Sequence, residues 1–122
     1  MDSKVNVRWT TIGRHECLRF GFSENLTEGS AMDAIMRWDK AFGERPGEKK
    51  TLIWAAQDMK AYESGARTLW TNALRHMKNQ IDQIWLVTTS NVVSMGASLM
   101  SVVIGIPIKT VKSEQQLYQK LQ

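Results

Sequence analysis

Ile84 to Ile108 reads IWLVTTSNVVSMGASLMSVVIGIPI and carries no charged side chain. The stretch is long enough to cross a bilayer as one helix, but its pattern divides it. Ile84-Trp85-Leu86-Val87 is a short β-type apolar run and Thr88-Thr89-Ser90-Asn91 is a polar break. Gly105 and Pro107 form a second break. The stretch therefore predicts a buried strand, a turn, a helix from about Asn91 to Ile104 with Ser90 as its cap, a turn and a strand, instead of a membrane span.

The same alternation continues outward. Toward the N-terminus, Ser64 to Asn79 repeats Ala66, Leu69, Trp70, Ala73, Leu74 and Met77 at helical spacing, with Arg67, Thr71, Arg75 and Lys78 on the opposite side. Before it, Thr51 to Ala56 is a continuous apolar run, typical of a strand covered on both faces. It follows a basic and polar loop, Glu44 to Lys50. Ala31, Ala34, Ile35, Trp38 and Phe42 predict a helix that starts near Thr27 and stops at Gly43 and Pro46. Val5, Val7 and Trp9, then Leu18, Phe20 and Phe22, alternate with period two on either side of Gly13 and predict an antiparallel hairpin. Toward the C-terminus, Ile108 to Val111 is a short strand. Ser113 and Gln116 have the spacing of a capping box opening a helix that packs Leu117 and Leu121.

The order is ββαβαβαβα, an α/β fold with a mixed, mostly parallel sheet and helices packed on it. If the strands at Leu52, Ile84 and Ile108 lie side by side, right-handed crossovers place the second and third helices on one side of the sheet. At 122 residues, 43% hydrophobic and 23% charged, the chain is expected to form a single domain, 1–122, around one core. The net charge of +4 is spread along the chain, so no nucleic-acid partner is expected. Cys17 has no second cysteine to pair with, and Met1 to Asn6 lack the charged start and apolar stretch of a secretory signal, so a reducing cytoplasm is the expected location.

From Leu52 to Leu121 the chain resembles the STAS domain and its SpoIIAA-like relatives. The matching features are the buried strand LIWAA, the linker Tyr62-Glu63-Ser64-Gly65-Ala66 into a helix, the strand IWLVTT, a helix ending at Ile104-Gly105-Ile106-Pro107, and the closing strand and helix. The resemblance implies a non-enzymatic regulatory module that binds a protein partner, as anti-sigma-factor antagonists do. It also implies reversible phosphorylation at Ser64, whose place at a helix start suits an added phosphate. The residues before it are Tyr62-Glu63 where the antagonist motif has Asp-Ser, and a serine here also serves as a simple helix cap. Binding of a lipid, a membrane surface or a small apolar ligand is the alternative function the resemblance permits.

Residues for catalysis or metal binding are not grouped. His15 and His76 have no second ligand at metal spacing, so neither a metal nor a cofactor is expected. GERPGEKKT, Gly43 to Thr51, departs from a phosphate-binding loop in its glycine spacing, in Glu48 at the lysine position and in preceding a strand. The pairs Asp33 with Asp39 and Asp58 with Glu63 show no arrangement for acid–base work, and Cys17 lacks an activating partner. Asp58 follows a buried strand, where α/β proteins place ligand contacts, and is a weak ligand candidate beside its reading as a turn residue.

The third helix is the unusual element. Val92, Val93, Gly96, Leu99, Met100 and Val103 are expected to face the core, leaving Ser94, Met95, Ala97, Ser98, Ser101 and Val102 outside without a charge. Ser94, Met95, Ser98 and Val102 then form a surface that another part of the domain, a second copy of the chain, or a lipid surface covers. Arg67, Arg75 and Lys78 of the second helix would adjoin it and favour an acidic protein or an anionic membrane.

Overall fold

The computed structural model describes residues 4–122. The first three residues of the expected 1–122 domain lie outside the described residues. Five strands form one sheet: β1 (Asn6–Ile12), β2 (His15–Gly21), β4 (Lys50–Ala55), β6 (Ile81–Val87) and β7 (Ile108–Val111), in the order β1-β2-β4-β6-β7. β1 is antiparallel to β2, and all later pairings are parallel. Four helices follow the strands: α1 (Glu28–Gly43), α2 (Ser64–Met77), α3 (Asn91–Ile104) and α4 (Glu114–Leu121). The expected order and the side-by-side placement of the strands at Leu52, Ile84 and Ile108 agree with this sheet.

Period-two alternation divides the side chains between two layers. Leu18, Phe20, Leu52, Trp54, Ile84 and Leu86 point to the layer shared with α1, α2 and α3. There Phe20 packs edge-on against Trp38 and Trp70 at ring separations of 5.3 and 5.5 Å, and Trp70 also meets Phe22 and Trp54. Such contacts add about 0.5–1.5 kcal/mol each beyond area burial. Cys17, Ile53, Trp85, Val87 and Val111 point the other way, where Leu117 and Leu121 of α4 cover them. The hairpin is therefore buried on more than its Leu18–Phe20 face: Cys17 is fully buried, and Arg19 is tied to Glu114 of α4 at 2.8 Å.

Helix ends follow local chemistry. Thr27 and Ser30 form a reciprocal cap on α1, Ser90 accepts the Val93 N–H at the start of α3, and Ser113 accepts the Gln116 N–H at the start of α4. Gly105 ends α3 in the left-handed conformation, φ 82°, with its N–H on the Ser101 carbonyl. The charge-free stretch is thus β6, α3 and the start of β7, and no helix among the described residues is long and apolar enough to cross a membrane.

Two details were not visible in periodicity. β3 (Asn25–Leu26) and β5 (Ala61–Tyr62) form a two-residue parallel ladder that draws the starts of α1 and α2 together. Lys50, read as part of a polar loop, is the first residue of β4 and is 3% exposed.

Candidate functional site

β3 and β5 deliver the chain into α1 and α2 beside the carboxyl ends of the parallel strands. Glu63, not Ser64, is the N-cap of α2, and its side chain makes no cap bond to its own helix. Its carboxylate instead accepts the Glu28 N–H, the first of α1, at 2.7 Å, while the Glu63 N–H donates to the Leu26 carbonyl at 2.9 Å. The Glu28 carboxylate returns across the gap and lies over Gly65, where a Cβ would come within 1.9 Å of its Oε1. Each helix start is thereby faced by a carboxylate from the other segment, the favourable sign for a helix N-terminus. Ser64 is exposed as the first residue inside α2, so the expectation that it caps this helix is corrected.

Behind this ladder, α2, α3 and the strand ends line a small, partly open cavity of about 50 Å³. Its walls include Phe22, Trp54, Met59, Trp70 and Met100, with Tyr62 and Arg67 as polar members. The Trp54 indole N–H is buried without a hydrogen-bond partner among the described residues. Tyr62 crosses α3 at Gly96, where a Cβ would stand 2.6 Å from the phenol oxygen, which is why the helix has a glycine there. A glycine inside an apolar helix is the sequence signal that could have revealed this crossing. Arg67 makes no ion pair among the described residues, and with Met100 it also lines an open groove between α2 and α3, shared with Leu99 and Val103.

The third helix is rotated from its expected setting. Val93, Gly96, Ala97 and Ile104 are its buried residues. Val92, Leu99 and Val103, expected inside, are 56%, 56% and 61% exposed, and Ala97, expected outside, is buried. The outer face therefore carries Val92, Met95, Leu99, Val102 and Val103, spaced at three- and four-residue intervals, with Ser98 exposed among them and Ser94 half-buried. The reason for the rotation is size: Gly96 and Ala97 are the residues that admit Tyr62 and the close approach of α3 to the sheet. The face is more apolar than expected. Arg67 adjoins it through Leu99 and Val103, Arg75 is exposed and bonded to Asn72, and the Lys78 ammonium lies beside Gly105 at the carboxyl end of α3.

The remaining candidates stand apart. Asp58 is exposed in an open cleft with Ser23, Glu24 and Lys60 and does not line the apolar cavity, although Phe22 borders both. His15 lies at the start of β2 and His76 is exposed on α2. Cys17 donates weakly to the His15 carbonyl, and burial, with Glu16 adding to it, raises its thiol to about 11. A thiol of that kind is a poor nucleophile at neutral pH.

An uncharacterized protein of the DUF3478 family from Shewanella loihica PV-4, itself described as having a SpoIIAA-like fold, superposes with a TM-score of 0.81 over 100% of this chain and 99% of that one, at 8% identity. The fold is SpoIIAA-like. The anti-sigma factor antagonist SpoIIAA in its unphosphorylated form superposes with a TM-score of 0.65 over 95% of this chain and 97% of that one, at 11% identity. No family model and no curated protein matches the sequence.

Proposed function

We propose that this chain is a non-enzymatic regulatory module that engages another protein through the outer face of α3. One observation carries the reading: Val92, Met95, Leu99, Val102 and Val103 are each more than half exposed on a helix without a charged residue. Monomeric surfaces rarely leave such a run of apolar side chains in water. The partner that suits this face best is a second copy of the chain. In a two-fold interface a patch meets itself, so a patch of one charge sign repels its copy while an uncharged one does not. Light scattering after size exclusion tests this: the wild type is expected to be dimeric at tens of micromolar, and Met95→Glu with Leu99→Glu monomeric and folded. A double variant that stays dimeric refutes dimerisation through α3. Flotation of the wild type with acidic liposomes would transfer the face to a membrane surface.

A second reading, binding of a small amphipathic ligand, is favoured by the cavity beside Tyr62 and Gly96. An apolar wall, the unpartnered Trp54 N–H and the unpaired Arg67 together suit an apolar body with an anionic or acceptor end. Calorimetry with a medium-chain carboxylate such as decanoate tests it, with Arg67→Glu expected to weaken binding at least tenfold. No heat with the wild type would remove this reading.

A further inference from the structure

At the opposite end of the sheet, where the parallel strands begin, the fold buries a cation without a hydrogen-bond or ion-pair partner among the described residues. Lys50 opens β4 at 3% exposure, and among the described residues its ammonium has no hydrogen-bond partner and takes part in no ion pair. Its ammonium lies over the Phe42 ring, 5.1 Å from the ring centre. A cation over an aromatic face recovers part of what is lost when an ammonium leaves water, but none of its three N–H donors is used by it. An ammonium buried without a counter-ion is among the costliest groups a fold can keep.

A second orphan lies in the same place. The Trp9 indole N–H on β1 is also buried without a hydrogen-bond partner among the described residues, and Trp9 and Lys50 line one cleft of about 440 Å³. Arg45, from the loop after α1, stacks its guanidinium 3.9 Å above the Trp9 ring and is held there by Glu16. Three segments thus bring N–H-bearing side chains to one cleft, and the Lys50 and Trp9 nitrogens, covered beneath its surface, have no acceptor among the described residues. The acidic residues of the cleft besides Glu16 are Glu48 and Asp82, and neither pairs with Lys50. A site of unsatisfied donors beside a buried positive charge selects an oxyanion.

We infer that this cleft binds a small organic anion, whose carboxylate or phosphoryl oxygens reach the covered Lys50 ammonium and Trp9 indole N–H through a side-chain shift that uncovers them. The segment is the one that departs from a phosphate-binding loop in sequence, and the site differs in kind. The donors are side chains of β1 and β4, not the amides of a glycine-rich loop. The cleft is larger than a bare ion, which leaves room for a carbon skeleton over Arg45 and Trp9. It lies at the opposite end of the strands from the α2–α3 cavity and does not depend on the α3 face.

The test titrates the full chain with inorganic phosphate and, separately, with succinate. It reads the Trp9 indole N–H resonance, assigned by its loss in Trp9→Phe, and the affinity by calorimetry. Either anion is expected to shift that resonance, and Lys50→Met to weaken its binding at least tenfold without lowering the melting temperature. A shift with phosphate alone assigns a phosphoryl ligand, and one with succinate alone a carboxylate. No shift with either, or unchanged affinity in Lys50→Met, overturns the proposal. Should Lys50→Met fail to fold, the affinity of Trp9→Phe decides, and an undiminished value overturns it equally.

Discussion

Replacing Leu99 with glutamate tests the rotation of α3 most directly, because its two possible settings predict opposite results. Leu99 is 56% exposed, so less than half of the ~1.5–3 kcal/mol for full burial of a leucine is at stake, about 1 kcal/mol. Leucine and glutamate have nearly equal helix propensities, so the backbone contributes a few tenths of a kcal/mol at most. In the inward setting read from hydrophobic spacing, the same change would bury a carboxylate and cost roughly 3–5 kcal/mol. Ala97→Glu supplies the reverse comparison: Ala97 is 7% exposed against the sheet, so a longer charged side chain there is expected to cost several kcal/mol, a large share of the ~5–15 kcal/mol that holds a domain together. Urea unfolding followed by tryptophan fluorescence measures both, at a concentration low enough for the wild type to be monomeric, so that a lost contact between copies does not add to the loss. A loss above about 2 kcal/mol for Leu99→Glu, or below about 1 kcal/mol for Ala97→Glu, would refute the geometry of α3.

Three other perturbations probe the rest of the fold. Gly105→Ala forces a side chain into a left-handed position and is expected to cost about 1–2 kcal/mol, seen as a lower urea midpoint. Cys17 is expected to resist thiol reagents in the native protein. Because its folded value is raised from 9.0 to about 11, the folded state keeps its proton where the unfolded chain has lost it, so the stability it contributes is intact below pH 9 and falls between pH 9 and 11, by up to roughly 3 kcal/mol. A serine variant that shows the same alkaline loss would rule this out. Arg19→Ala removes two contacts to Glu114, at 2.8 and 2.9 Å, and is expected to cost about 1–3 kcal/mol and to speed hydrogen exchange selectively in α4. Uniform exchange across the chain would argue against that tether.

Much of this architecture was legible without coordinates. The alternation of Val5, Val7 and Trp9, the continuous run Thr51 to Ala56, and the helical recurrence of Trp38, Phe42, Trp70 and Leu74 identify their elements, because a strand and a helix repeat their buried faces at different periods. Caps at Ser90 and Ser113 and the stop at Gly105 are local chemistry and were equally readable. The crossover rule then places α2 and α3 together from strand order alone.

The candidate sites were less legible. Periodicity finds the buried side of a helix by contrast with polar residues, and α3 has almost no contrast: nearly every residue from Val92 to Ile104 is apolar or small. Its setting was decided by Tyr62, thirty-four positions before Gly96, a contact between segments far apart in the chain. The same holds for Glu63, whose carboxylate serves the start of α1 instead of its own helix, because the β3–β5 ladder is too short to leave a pattern.

What the sequence by itself determined was each element and the order in which elements meet, since both follow from side chains within a few positions of one another. Only the tertiary structure decided which face of α3 meets water, and that α4 crosses beneath Cys17 and Trp85. It alone also brought Trp9, Arg45 and Lys50 together without enough acceptors. The physical reason is one and the same. Whether a polar or charged group is satisfied depends on partners that arrive from other strands, so a lysine at the end of a polar loop and a lysine buried without a counter-ion are the same letter until the sheet closes around it.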